Sequence, residues 1–139
     1  MLVCGLDFET TGLDPNKDFI TEIGAVLWNG SDWSVKDHFT CLVFEAGALP
    51  LSHEIQEITK ITNQMLIDNG VKLDVAMGQL EEFSRPAECF VAHNAQFDRA
   101  FYKAAMVRAG MLIGVDKTWV CSKSDVKTHH DRKCTKLSH

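Results

Sequence analysis

The 139-residue sequence predicts a mixed α/β domain. Three observations carry that reading. Residues 1–6 (MLVCGL) form an apolar run that stops abruptly at acids. Two further strand-like segments follow, joined by Asn29-Gly30-Ser31-Asp32. Beyond them, helical patterns alternate with short apolar runs. Hairpin-linked strands followed by helix–strand alternation give a sheet with both antiparallel and parallel pairs, flanked by helices.

The elements read in order as follows. Residues 2–7 form a strand, followed by a polar turn over 12–17. Ile20–Asn29 is a second strand, apolar at Ile20, Ile23, Ala25 and Leu27. Asn29-Gly30 is a hairpin signal, because both residues tolerate positive φ. Residues 33–44 are a third strand, with Trp33, Val35 and Asp37 alternating against Ser34 and Lys36. Pro50 and Ser52 open a short helix over 53–57. Thr62 is placed to cap a second, containing Met65 and Leu66 and closed by Asn69-Gly70. Asp74 is placed to cap a third, with Val75, Leu80 and Phe83 inward and an end before Pro86. A strand over 89–92, a helix over 95–109 ended by Gly110, and a strand at Thr118–Cys121 complete the set. Asn94 is the expected cap of the 95–109 helix, and Phe97, Phe101 and Ala104 its apolar face.

The chemistry concentrates at two strand ends. Asp7-Phe8-Glu9-Thr10-Thr11-Gly12-Leu13 terminates the first apolar run. Strand residues two apart share a face, so Asp7 and Glu9 project together. Side-by-side carboxylates repel unless a cation lies between them; the alternative is that both are simply solvated. Asp98 falls in the first turn of the helix after the 89–92 strand. It is either a third member of the site or an acid complementing the helix dipole. Three carboxylates with no nitrogen or sulfur donors suit Mg2+ or Mn2+. Phe97 reads equally as core, being one helical turn from Phe101.

These motifs resemble those of the DEDD 3′–5′ exonucleases, among them the proofreading subunit of bacterial DNA polymerase and the oligoribonuclease-type enzymes. Asp7 through Asp14 is similar to the family's first motif, and Ile20 through Val26 to the strand after it. Ile58-Thr59-Lys60-Ile61-Thr62 stands where the family has a short turn. His93-Asn94-Ala95-Gln96-Phe97-Asp98 resembles the second motif, and Trp119-Val120-Cys121-Ser122 the next strand. The resemblance implies a ribonuclease H-like fold and a two-metal phosphodiester hydrolase releasing nucleoside 5′-monophosphates. It implies Asp7, Glu9 and Asp98 as catalytic metal ligands for Mg2+ or Mn2+. It places Thr10, Gly12, Leu13, Asn94 and Phe97 around a single-stranded DNA or RNA 3′ end.

The family's third motif is a His with an Asp five residues on. Here only His93 has that spacing, and its Asp98 already belongs to the second motif. Residues 1–139 thus read as one exonuclease-like domain whose C-terminal part, with the general base and fourth carboxylate, is missing. Such a chain is expected to be a weak or inactive exonuclease alone. The alternative is a non-catalytic module holding a nucleic-acid end or a partner. A third reading has another chain supply the missing segment, by self-association or assembly with a polymerase. A fourth is that the full gene is longer.

Composition narrows the class. The net charge of −5 argues against tight, sequence-specific gripping of a duplex. No apolar run approaches the ~18 residues needed to span a bilayer, and no signal-peptide pattern opens the chain. Five cysteines without paired spacing fit reduced thiols. Together these predict a cytoplasmic protein with no membrane partner. The tail gathers Cys121, His129, His130, Cys134 and His139. Its spacing matches no strong zinc pattern, and a solvated end is the plainer reading.

Overall fold

The structure is a computed structural model and describes residues 1–112 and 117–122. Among these residues six strands form one sheet in the order β4-β3-β2-β1-β5-β6. β1 (Leu2–Thr10), β2 (Ile20–Asn29) and β3 (Val35–Phe44) are an antiparallel meander. β5 (Cys89–Ala92) runs parallel to β1, β6 (Thr118–Cys121) parallel to β5, and the two-residue β4 (Val71–Lys72) parallel to β3. β1 is therefore central, as a strand that reads almost entirely apolar should be.

Among the described residues four α-helices accompany the sheet: α1 (His53–Thr59), α2 (Asn63–Asn69), α3 (Leu73–Ser84) and α4 (Ala95–Arg108). The main core lies between one sheet face and α3 and α4. Cys4, Leu6 and Phe8 of β1 meet Met77 and Leu80 of α3 and Phe101 and Met106 of α4 there. The Tyr102 hydroxyl donates to the Glu81 carboxylate and ties the two helices together. On the opposite face Val3, Cys89 and Val120 form a smaller cluster flanked by Trp28. A cavity of ≈ 500 Å³ opens on that face beside Gly5, Asp7, Trp28, Trp33, His38 and His93. At its C-terminal end α4 is clamped. Arg108 makes a two-pronged ion pair with Glu45 (3.0 and 3.1 Å) and lies over the Phe19 ring.

The short helices begin as their sequences require. The Ser52 hydroxyl accepts from Ile55 N, and the Thr62 hydroxyl from Met65 N. Gly110 ends α4 with φ +70°, while Met111 N donates to Met106 O at 3.0 Å, a Schellman closure. Gly70 serves a different need: its φ is −68°, and a Cβ there would collide with Leu66 O and the Phe44 side chain.

Several expectations need correcting. β1 continues through Thr10, because β2 pairs with it along its whole length, so Glu9 as well as Asp7 lies within the strand. β3 starts at Val35, since Trp33 has φ +60° inside the hairpin connection. The first half of β3 is largely exposed, and only Cys41 and Val43 are buried. Asp74 lies inside α3 and Asn94 at the first boundary of α4, and neither helix has a side-chain cap. Val75 is 48% exposed; the buried positions are Leu73, Ala76, Met77, Leu80 and Ser84, spaced three and four apart from Leu73. α4 buries Phe101, Tyr102, Ala105 and Met106, so its apolar face is centred one residue on from Ala104. β4 had no sequence signal, being only two residues long.

Leu80 is fully buried and Val75 is not. Leu80→Ala is therefore expected to cost about 3 kcal/mol, and Val75→Ala to stay within about 0.5 kcal/mol. Urea unfolding of the two variants checks the orientation of α3; equal losses would contradict it.

Candidate active site

The site begins with two chain segments brought together by the sheet. Parallel pairing of Val3, Cys4 and Gly5 with Cys89, Phe90 and Val91 aligns the ends of β1 and β5. α4 starts three residues after β5, so its first turn lands beside β1. Asp98 is there, 5% exposed, and Phe8 N donates to its Oδ1 at 3.4 Å. The amide it takes belongs to the residue between Asp7 and Glu9. Asp98 is thus turned toward β1, which a helix-dipole acid alone would not require.

Electrostatics link the acids. Burial, then the neighbouring Asp7 charge, push the Asp98 carboxyl up to about 7, against the opposing pull of the Phe8 amide. Burial raises Asp7, with His93 opposing. Burial, then Asp7, then Glu22, raise Glu9. Glu22 itself is raised by burial and by Asp7. It stands directly across from Glu9 on β2, and opposite residues of an antiparallel pair share a face. Facing like charges are unfavourable there. A set of carboxylates that all resist ionisation is a place where a multivalent cation would relieve the repulsion.

The donor set, oxygen throughout, suits a hard divalent ion. Among the described residues no three His, Cys, Asp or Glu are gathered in ligating geometry. Asp98 is held by the Phe8 amide, and repulsion disfavours closer approach of its neighbours. Asp7, Glu9 and Asp98 are coupled through their charges rather than assembled as a closed cage.

The loop after Glu9 is tightly organised. Asp18 Oδ1 accepts from the Thr11 hydroxyl (3.2 Å) and Asp18 Oδ2 from Asp14 N (3.0 Å). The Thr11 hydroxyl accepts from Phe19 N, and Thr11 N donates to Phe19 O, both at 2.9 Å. Gly12 is required because a Cβ would run into the Asp18 carboxylate. The Thr10 hydroxyl donates to Gly12 O at 2.7 Å. Leu13 is left 83% exposed. Across a cavity of ≈ 290 Å³ it faces Asn94, Gln96 and Phe97 of the second segment. Phe97 plays both of its anticipated parts: it packs on the core and on Phe101 (4.8 Å between centroids), and it lines this cavity. Thr10 and Gly12 shape the loop and are not among the cavity's lining.

Sequence reasoning missed Glu22, Asp18 and the nearness of His93 to Asp7. Glu22 had one signal, an acid in an otherwise apolar strand; its place opposite Glu9 needed the register.

Cysteine chemistry is separate from the site. Burial pushes the Cys4 thiol up to about 12, with Lys117 opposing, which suits an inert core thiol. Cys41 is also a free thiol. Cys121 Sγ donates to His93 O at 3.3 Å. The other four members of the anticipated Cys/His cluster lie outside the described residues. Among the described residues no helix is long and apolar enough to cross a membrane.

A sheet of this order, with acids on its central strand and on the helix that follows the neighbouring parallel strand, defines a ribonuclease H-like fold. The family model for exonucleases (RNase_T) matches residues 4–138, and the chain belongs to that family. A PolC-type DNA polymerase III of Thermotoga maritima is 39% identical over 98 residues, covering 70% of this chain and 7% of the polymerase. The DNA polymerase III epsilon subunit of Treponema pallidum is 34% identical over 102 residues, covering 72% of this chain and 44% of the subunit. The chain thus spans less than half the length of either relative. Exonuclease I of E. coli, solved in complex with a dT13 oligonucleotide, shares the fold at 18% identity. Its TM-score is 0.79, covering 93% of this chain and 29% of that one.

A carboxyl whose pKa is raised by folding destabilises the native state as it ionises. The native state binds its proton more tightly than the unfolded chain, so stability falls as pH rises from about 4 toward 7 and stays low above. Asp98→Asn keeps an acceptor for Phe8 N and removes the charge. It is expected to raise the melting temperature at pH 8 by a few degrees in chelator, and to change little at pH 4. Thermal unfolding at the two pH values checks this; no gain at pH 8 would contradict the repulsion.

Proposed function

We propose that this chain is a metal-dependent 3′–5′ exonuclease domain acting on single-stranded nucleic acid, releasing nucleoside 5′-monophosphates. The observation that carries the reading is Asp98, buried, turned onto the amide between Asp7 and Glu9, and coupled in charge to Asp7. Membership of the exonuclease family supports it. DNA is the favoured substrate: the relatives named above are DNA polymerase III polypeptides, and the structural neighbour was solved with a deoxyoligonucleotide. A replicative polymerase is the favoured partner on the same ground.

Asp7, Glu9 and Asp98 would hold Mg2+ or Mn2+. Bound divalent ions supply the charge that activates a water and stabilises the departing 3′ oxygen. The residues of this chain do the rest of the positioning. Leu13 and Phe97 offer apolar surface to the terminal base or sugar, and Asn94 a hydrogen-bonding edge. Thr10, Gly12 and Asp18 keep the loop that carries Leu13 in one shape. The Phe8 amide holds Asp98 in place before any ligand arrives. After Asp98 the sequence contains no His followed five residues on by Asp. A general base and a fourth carboxylate would come from outside these residues. Loss of a general base alone typically costs 10²–10⁴-fold, so slow turnover is expected of the chain by itself.

The test uses 3′-labelled single-stranded DNA and RNA oligonucleotides with Mg2+ or Mn2+, scoring mononucleotide release. Asp7→Ala is expected to abolish whatever release the unsubstituted chain shows, and chelator to do the same. Release that survives Asp7→Ala would refute the assignment. Binding of a single strand without any release, by a chain that binds Mn2+, would favour the end-binding module.

A further inference from the structure

The β1–β2 ladder breaks at one place. Glu9 pairs with Glu22, but the next residue of β1, Thr10, pairs with Ile20. Thr21 is the extra residue, a bulge on β2. It is fully buried, and its hydroxyl donates to the backbone carbonyl of Glu9 at 3.1 Å. Bulges re-aim side chains and are frequent beside active sites. A buried hydroxyl must find a partner, and here the partner is the main chain of a site carboxylate. On its other side Glu9 is followed by Thr10, whose hydroxyl fixes the loop through Gly12 O. The bulge thus sits where the strand gives way to the organised loop, next to the two facing glutamates.

We propose that Thr21 is a positioning residue: through its hydroxyl on the Glu9 carbonyl, the bulge sets the direction in which Glu9 presents its carboxylate to a divalent ion. The inference rests on the metal-site reading above. A merely structural Thr21 would fill space and support the fold without altering how the chain holds a cation. Partners that orient ligating groups typically carry 10–100-fold in metal affinity.

The experiment is Mn2+ titration followed by electron paramagnetic resonance, well below the melting temperature of each variant. Thr21→Val keeps the shape and removes the hydroxyl; it is expected to bind Mn2+ at least tenfold more weakly. Thr21→Ser retains the hydroxyl and is expected to bind close to the unsubstituted chain. On a Glu9→Gln background, Thr21→Val is expected to add nothing further, because both changes act through one carboxylate. Should Thr21→Val fail to fold, Thr21→Ala is held to the same criterion. If the unsubstituted chain binds Mn2+ and the hydroxyl-free variant binds it equally well, the positioning role is overturned and the metal site stands. If the unsubstituted chain binds no Mn2+, both readings fall.

Discussion

A carboxylate placed out of water, one hydrogen bond from the backbone and beside a second carboxylate, is the constraint around which this domain is built. Burying such a group is costly unless it is hydrogen-bonded. The domain offsets the cost with the Phe8 amide and with the first turn of α4, whose free N–H groups and dipole favour negative charge. The offset is incomplete, since Asp98 still resists ionisation. Folding therefore stores unfavourable electrostatics at one point, a common trait of places where a protein does chemistry. The arrangement needs a central β1, a parallel β5 and a helix entered without delay. The strand order and the short β5–α4 connection meet all three.

The surroundings divide the labour between two faces. The side with α3 and α4 supplies the packing that keeps β1 straight and central. The other side carries Trp28, Trp33 and the Asp7 side chain around an open cavity. The loop from Thr10 to Phe19 joins these tasks: a single carboxylate, Asp18, closes it from within, and the loop then offers Leu13 outward.

Much of the sheet and the motif acids was legible in the sequence because each had a local signature. β2 showed apolar periodicity, α1 and α2 showed hydroxyl caps, and Asp7, Glu9 and Asp98 each sat where an apolar run broke. What was not legible depended on pairing between distant segments. Thr21 looks like any strand threonine until the register shift is known. Glu22 becomes relevant only through its position across from Glu9. Asn94 stands at the right boundary yet makes no cap, because a residue type only permits a hydrogen bond. Val75 misled because it is apolar and follows an acid, whereas the inward stripe starts at Leu73.

The two ends of α4 are fastened to the same neighbourhood by unlike means. Asp98 grips β1 near the beginning of the helix, and Arg108 grips Glu45 and the Phe19 ring at its end. Phe19 is also the residue whose backbone closes the loop through Thr11. A helix moored fore and aft cannot swing aside to admit a ligand without tearing the loop with it. The helix and the loop are accordingly ordered together, and the entropy of that ordering is spent during folding.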